Sequence, residues 1–419
     1  MISRLVVDIT PLRESPAYRR LWLGSLLSAV GSQLTTFAVA LQVYLLTHSS
    51  VAVGGVGLVS AVPAITCGLF AGSLVDAHDR RRIVLGASSL SLLVSVGLAA
   101  QAFAEVRSVW LLYVFVAVQS LVSSVNAPAR RTFLPRLLPA EQIPAGAALT
   151  MLSMHVSLVL GPSLAGVLTA AGGLKFCYLV DAISFLAAMY GVYRLPAMRP
   201  DGAGTRPGAR AVLDGLRFLG RSKVLTGALV SDLNATVLAM PIALFPAINA
   251  ARFAGSPRTL GLMTTAIAVG GVLGSGLSGP IGRVQRQGVG MLVAGAVWGA
   301  ALAGFGVVDG LAATLALLAV AGAADVSSVV LRSTVIQLAT PDAYRGRINA
   351  AEFVVGAACP ELGNFRAGAV ASLTSPGVSA VAGGLGCVAG AAVIALSMPA
   401  FVRYRVSPKP APEAELAVA

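Results

Sequence analysis

At 419 residues, with 56% hydrophobic and only 11% charged side chains and a mean hydropathy of +0.83, the chain is too apolar for a soluble fold, where about 25% charged residues are usual. Its formal net charge of +13 is scattered between apolar runs instead of gathered on one solvated face, which argues against a nucleic-acid binder. A membrane span takes about 20 apolar residues, and the length accommodates twelve with short connections.

Apolar runs and the turns between them predict spans at 21–46, 53–75, 83–103, 109–130, 146–171, 175–195, 223–247, 258–281, 289–308, 310–333, 350–373 and 378–402. The fold class that follows is an all-α integral membrane protein. Before the first span, Arg4, Arg13, Arg19 and Arg20 precede no compact apolar core with a cleavage site, so the stretch reads as an uncleaved lead-in. Gln33 and Gln42 in span 1, and Gln119 and Asn126 in span 4, would line an internal cavity if those helices face one. Between spans 2 and 3 lies the polar turn Gly72-Ser73-Leu74-Val75-Asp76-Ala77-His78-Asp79-Arg80-Arg81-Arg82-Ile83. Gly72 permits close approach of a neighbouring helix, and Asp76 can face the positive end of another. Arg80, Arg81 and Arg82 favour cytoplasmic headgroups, and charge alone supports no more than such a loop.

Span 5 carries His155 and, six residues on, Gly161-Pro162-Ser163-Leu164-Ala165-Gly166. Pro162 removes a backbone hydrogen bond, while Gly161 and Gly166 let another helix pack closely; the plain reading is a kinked, tightly packed helix. His155 titrates near neutrality when free, although a lone helical histidine is more often packing. The longest connection, 196–222, opens with Pro196, Pro200, Gly202, Gly204, Pro207 and Gly208 as a flexible linker. It continues through Val212 to Leu219 at helical spacing, which predicts a short interfacial helix. The chain thus divides into bundles at 1–195 and 223–402, joined by the linker and followed by a tail at 403–419.

Ionisable groups inside spans are costly and count as functional candidates. Asp232 stands beside Asn234 in span 7, Asp325 precedes Arg332 by seven residues in span 10, and span 11 holds Pro360-Glu361-Leu362-Gly363-Asn364-Phe365-Arg366. Two readings stay open. One is structural pairing, of Asp325 with Arg332 or Asp232 with Arg366. The other is proton exchange by Asp232, Glu361 and Asp325, since burial favours the protonated form of a carboxylic acid; Asn234 and Arg366 would then join the cavity wall. Glu352 and Asp181 sit nearer span ends, where headgroup contact suffices.

Cys67, Cys177, Cys359 and Cys387 lie singly in apolar segments, and His48, His78 and His155 share no ligand spacing, so neither a disulfide framework nor a metal site is expected. No GxxxxGK[ST] string occurs, so the reading includes no cofactor, no ATP-driven step and no enzyme. Starting inside, the odd-numbered segments hold 25 of the 30 lysines and arginines and the even ones hold 4; this places both termini in the cytoplasm. The remaining one, Arg366, falls deep within a span. The halves also repeat. An offset of 204 superposes Gly57-Leu58 on Gly261-Leu262 and Gly72 on Gly276, and an offset of 202 superposes Arg130-Arg131-Thr132 on Arg332-Ser333-Thr334. Two parallel six-helix halves around a central cavity fit this pattern.

The Gly72–Arg82 turn resembles the loop between helices 2 and 3 of the major facilitator superfamily, and Gly161–Gly166 is similar to the GPxxGG antiporter motif of its drug:proton exporters, with Ala165 at the first glycine of the final pair. Four further strings resemble the enterobactin-exporter-like branch of that superfamily, with its actinobacterial permeases. They are Ser15-Pro16-Ala17-Tyr18-Arg19-Arg20-Leu21-Trp22, Asn126-Ala127-Pro128-Ala129-Arg130-Arg131, Asp214-Gly215-Leu216-Arg217-Phe218-Leu219 and Thr340-Pro341-Asp342-Ala343-Tyr344-Arg345-Gly346-Arg347. The resemblance implies twelve transmembrane helices in two pseudo-symmetric six-helix bundles. It implies alternating access and proton-driven efflux of a siderophore or other amphipathic small molecule across the bacterial plasma (inner) membrane. It also implies a cytoplasmic latch made by Gly72, Asp76, Arg80, Arg81 and Arg82 against the start of span 11, near Arg347 and Asn349. The partners expected are the substrate, protons and the bilayer, with a monomeric chain and no nucleic acid. Two departures matter: Val116 and Ser120 replace residues of the span 4 RxxQG signature, and Pro280, Val284 and Gln285 degrade the second-half copy of the turn. A nutrient importer of the same fold and a membrane sensor are the competing readings; no sizeable soluble domain is evident to favour the sensor.

Overall fold

In a computed structural model of the chain, residues 8–196, 198, 217, 220, 222–276, 284–340 and 345–405 are described, without the side chains of 69–77, 345–347, 349–351 and 353. The first six long helices are α1 (Pro16–Thr47), α2 (Ser50–Ala77), α3 (Arg80–Phe103), α4 (Val109–Arg131), α5 (Ile143–Gly172) and α6 (Leu174–Tyr193). The second six are α7, in two pieces (Lys223–Ala239 and Phe245–Arg252), α8 (Pro257–Gly276), α9 (Gln287–Val307), α10 (Leu311–Ala339), α11 (Arg345–Leu373) and α12 (Pro376–Ser397). Among the described residues, eleven helices are long and apolar enough to cross a membrane. The exception is α11, which carries Glu352, Glu361, Asn364 and Arg366. The expected interfacial helix from Val212 to Leu219 falls almost wholly outside the described residues.

Helix starts are set by short polar side chains. Ser15, Ser49, Asp79, Ser108, Ser222 and Ser375 each accept a bond from a backbone N–H two or three residues on, satisfying a donor the first turn leaves orphaned. The start of α1 and the end of α12 lie on one face, called here the terminal face; the α1–α2 loop marks the distal face.

Packing repeats between the halves. In the first, α1 packs on α5 and α6, α3 on α4 and α6, and α2 on α4; in the second, α7 packs on α11 and α12, α9 on α10 and α12, and α8 on α10. The halves meet along two related seams, α2 against α11 and α5 against α8. This is the pseudo-symmetric arrangement of two six-helix bundles.

Membrane helices gain little from expelling lipid, so their seams depend on close backbone approach at small residues. On the first seam a Cβ at Gly54 would stand 2.7 Å from Asn364 O, and one at Gly368 2.4 Å from Ser50 O. On the second, a Cβ at Gly261 would stand 2.5 Å from Pro162 O, and Ser163 shares a 2.7 Å hydrogen bond with Thr265. These described contacts all lie in the distal half of the bundle. Gly57 and Gly261, superposed by the sequence repeat, fall on opposite seams, one against Glu361 and the other against Pro162 and Gly166.

One predicted span departs from continuity. The stretch 223–247 reads as a single helix, but α7 stops at Ala239 and turns through a 3-10 segment, Ile242–Leu244, before resuming. Pro241 has no N–H to give Val237 O, the carbonyl four residues back. Arg366 of α11 supplies the missing donors, Nε to Val237 O at 2.9 Å and Nη2 to Leu238 O at 2.5 Å. Asn364 Oδ1 accepts from Ala243 N at 3.2 Å. The polar part of α11 therefore fastens the break in α7.

Within the second half, α8 and α10 cross at glycine, and a Cβ at Gly322 would stand 2.0 Å from Ile267 O, a backbone atom that cannot rotate away. Gly322→Val is expected to lower stability by at least about 1–3 kcal/mol, the usual cost of overpacking, seen as a lower midpoint in thermal unfolding of the purified protein in detergent.

Candidate functional site

A cavity of about 390 Å³ lies between α1, α2, α3 and α4 of the first half and the α7 break and α11 of the second. Its walls are largely apolar, with Val39, Val56, Leu98, Phe115 and Ile242 among them. The polar positions are hydroxyls of α1 to α4, Gln119, and the pair Glu361 and Asn364. Glu361 is the ionisable residue among those described that line it.

Glu361 stands on the α2–α11 seam. Its carboxylate fills the space a Cβ on Gly57 would take, 1.9 Å from Oε2. It accepts a 3.3 Å hydrogen bond from Asn364 Nδ2, and no cation pairs with it among the described residues. Asn364 in turn is held by Ala243, so the acid is positioned through the α7 break.

A second polar cluster sits inside the second half. Arg332 of α10 forms an ion pair with Asp232 of α7 and lies 3.7 Å, Nε to Oε1, from Glu352 of α11. The side chains of Arg332 and Asp232 keep only 13% and 11% of their exposure, so each depends on the other. Asp325 lies within electrostatic range of both. Its side chain is exposed, and it makes no hydrogen bond or ion pair among the described residues. Two carboxyl groups thus share one guanidinium, with Asp325 nearby. The pseudo-equivalent Arg130 of α4 meets neutral oxygens instead: Asn126 Oδ1 at 3.1 Å, Ser25 Oγ at 2.9 Å and Ser88 Oγ at 3.2 Å.

A profile of the transmembrane secretion effector family matches residues 7–419. The chain belongs to that family of major facilitator transporters. It is 28% identical to the enterobactin exporter EntS of Citrobacter koseri, over 97% of this chain and 98% of that one. It is likewise 28% identical to EntS of Shigella boydii, over 96% and 97%. Among solved structures, the nucleoside transporter NupG matches with a TM-score of 0.74 at 12% identity, over 93% of this chain and 100% of that one. A bacterial homologue of the iron transporter ferroportin matches with a TM-score of 0.68 at 17% identity, over 91% and 98%. The chain is therefore a multi-pass membrane transporter with the major facilitator fold, and not an enzyme.

In this transporter the residues singled out from sequence part into groups. Gln119 and Glu361 line the cavity, while Asp232 and Asp325 belong to the Arg332 cluster. The structure joins Asp232 to Arg332, neither of the two pairings expected from sequence, because Arg366 is committed to the carbonyls of α7. Several expected cavity residues do other work. Gln42 is buried in a reciprocal pair with Gln101, at 3.2 and 3.1 Å, and accepts from Tyr178 Oη at 2.6 Å. Gln33 packs its Cβ on Gly161. Asn126 holds Arg130, and Asn234 Nδ2 donates to Cys387 O at 2.8 Å, tying α7 to α12. His155 Nδ1 lies 2.9 Å from Met151 O on its own helix.

Gly161, Pro162 and Gly166 serve close packing: Gly161 receives α1, while Pro162 and Gly166 receive α8. Of the expected latch, the side chains of Asp76, Arg347 and Asn349 lie outside those described, as does any contact of Gly72. Asp79 caps α3 and also accepts from Met198 N at 3.1 Å. Arg81 donates to Tyr193 O and stacks 5.8 Å over the Tyr193 ring, so its described contacts stay within the first half.

Asp181 is the residue that sequence reasoning passed over. It is 2% exposed, in the second turn of α6, and its Oδ2 accepts from Thr35 Oγ1 and Ser95 Oγ, both at 2.7 Å. Thr35 and Ser95 both line the cavity, so Asp181 sits directly behind its wall. Distance from the span end suggested headgroup contact; the available signal was Gly31, whose missing Cβ makes room for Asp181 and Ser184.

Removing one member of a buried ion pair leaves the other charge stranded, at a cost of about 3–5 kcal/mol. Asp232→Ala is expected to lower the thermal midpoint strongly, and Asp232→Ala combined with Arg332→Met is expected to recover much of that loss. Equal destabilisation by the single and double variants would show that the pair does not hold the cluster.

Proposed function

We propose that this transporter is a proton-coupled exporter of amphipathic small molecules, siderophore-like or drug-like. It works by alternating access of the bundles 1–195 and 223–402, linked by 196–222, with the tail 403–419 following. The proposed setting is the bacterial inner membrane, with both termini cytoplasmic and a single chain as the working unit. The export direction is carried over from relatives named as enterobactin exporters.

The observation that carries the coupling is Glu361. It stands on the cavity wall, against the opposite half at Gly57, without a described cationic partner. A charge there is costly away from water unless compensated, and a bound proton removes it. Proton binding at Glu361 then alters both the cavity's charge and the polarity of the seam along which the halves separate. The Arg332 cluster offers a second store, because three carboxyl groups around one guanidinium leave at least one able to carry a proton. Asp232 stays ionised beside Arg332, and Asp325, without a partner among the described residues, exchanges. In this scheme the usual span 4 arginine, replaced here by Val116, is not needed.

The test uses inverted membrane vesicles acidified inside, with enterobactin and a lipophilic fluorescent dye as probes. Native vesicles are expected to accumulate at least one probe. Glu361→Gln is expected to reduce accumulation to the level seen without a gradient, and Asp325→Asn to reduce it in part, both at normal expression. Full gradient-driven accumulation in both variants would sink the coupling scheme.

A further inference from the structure

We propose that Asp181 of α6 is a proton-binding site of the first half, loaded from the cavity through the hydroxyl of Thr35. This deepens the coupling scheme above and rests on it for its place in transport; proton exchange at Asp181 is measured without transport.

The partners of Asp181 are hydroxyls. Oδ2 accepts from Thr35 Oγ1 of α1 and Ser95 Oγ of α3, both at 2.7 Å. Ser184 Oγ gives its proton to the carbonyl of Asp181 at 2.7 Å and stands 3.5 Å from Oδ1, which faces the bare backbone of Gly31. The residue is 2% exposed, and no cation pairs with it among the described residues. A charge held there by neutral dipoles alone is costly, and a bound proton removes it. An arginine or lysine partner could only donate, whereas a hydroxyl both gives and receives. The same contacts therefore serve both states: the hydroxyls donate to the carboxylate, and one of them accepts from the acid. Oxygens in direct contact at 2.7 Å leave no room between them for a metal ion.

The ionisable groups of the helices packed against α6 lie elsewhere. Arg19 and Arg20 begin α1 and Arg80 to Arg82 begin α3, at least thirteen residues from Thr35 or Ser95, which is about 20 Å along a helix. Arg130 of α4 reaches between these helices to Ser25 and Ser88, seven residues and about 10 Å from Ser95. His155 of α5 bonds its own helix at Met151 O. On α6 itself, Lys175 lies over the Phe103 ring, Cys177 meets Thr169, and Tyr178 donates to Gln42.

The two donors to Oδ2 differ in reach. Ser95 is 1% exposed, whereas Thr35 is half-buried and lines a cavity of about 390 Å³, room for several waters. In the loading step a hydronium in the cavity passes its proton to a lone pair of Thr35 Oγ1, and the proton already on Oγ1 passes to Asp181 Oδ2. One O–H bond forms on each oxygen, the threonine is restored, and the net change is one proton on the carboxylate. Unloading is the reverse. The described route to Asp181 runs through the cavity, so the acid equilibrates with whichever side of the membrane the cavity faces. Ser95 and Ser184 act as positioning residues. Glu361 faces the same cavity from α11, so each half contributes one acid.

The test is pH-dependent infrared difference spectroscopy of the full chain in lipid nanodiscs. Aspartate carries the heavy stable isotope of carbon at its side-chain carboxyl, which separates its acid C=O band from those of glutamate. The native chain is expected to show a label-shifted acid band that Asp181→Asn loses and Glu361→Gln keeps. Thr35→Val is expected to keep the band and slow its response to a pH jump at least about tenfold, and Thr35→Ser to restore the native rate. If Asp181→Asn does not fold, the two Thr35 variants decide alone. Absence of an Asp181-dependent band, or a Thr35→Val band that responds as fast as the native one, would overturn the inference. So would a band that follows sodium at fixed pH. A titrating band in a chain whose vesicles accumulate nothing would support it while removing the coupled-export reading.

Discussion

The grip of α11 on the break in α7 is the constraint from which the site follows. Pro241 leaves Val237 O without its helical donor, and a bare carbonyl cannot turn to water inside a membrane. Arg366 meets this need, at 2.9 Å to Val237 O and 2.5 Å to Leu238 O. Asn364 fastens the far side of the break through Ala243 N. With both residues committed, Glu361 is left on the same segment with Asn364 as its described partner, facing Gly57 across the seam. A structural repair in one helix thereby positions the ionisable group of the cavity.

The two halves share a packing plan but not a charge plan. Both are built from the same helix pairings, and both seams close on small residues in their distal parts. Arg130 and Arg332 occupy related places, yet the first is satisfied by serines and an asparagine, while the second sits among Asp232, Glu352 and Asp325. Neutral partners make Arg130 a fixed brace. At the Arg332 cluster the acidic partners outnumber the guanidinium they meet. The cavity lies mainly in the first half, where the buried acid Asp181 orders hydroxyls, and is capped from the second by Glu361.

Much of the fold was legible because hydropathy acts locally: the predicted apolar stretches became helices, and short polar side chains cap their starts. The break in α7 was missed because Met240-Pro241 lies among residues apolar enough to read as one span, and its repair comes from a helix more than a hundred residues later. Picking polar residues inside spans found Glu361 and Gln119 on the cavity wall. It misplaced Gln42, Asn126 and Asn234, because a polar side chain in a membrane helix is satisfied as readily by another helix as by a cavity. Asp181 was passed over for its place near a span end, although a helix rises 1.5 Å per residue and two turns suffice to bury it.

By itself the sequence determined the all-helical membrane class, the number of long apolar segments and their repeat between halves, since these depend on composition and spacing along one chain. It also marked the acids that are costly to bury. Only the tertiary structure decided which acid meets which cation, because a guanidinium goes wherever unsatisfied carbonyls or carboxylates converge, and that depends on helices distant in sequence. Arg366 went to a broken helix, Arg332 took Asp232, and Glu361 was left facing the cavity.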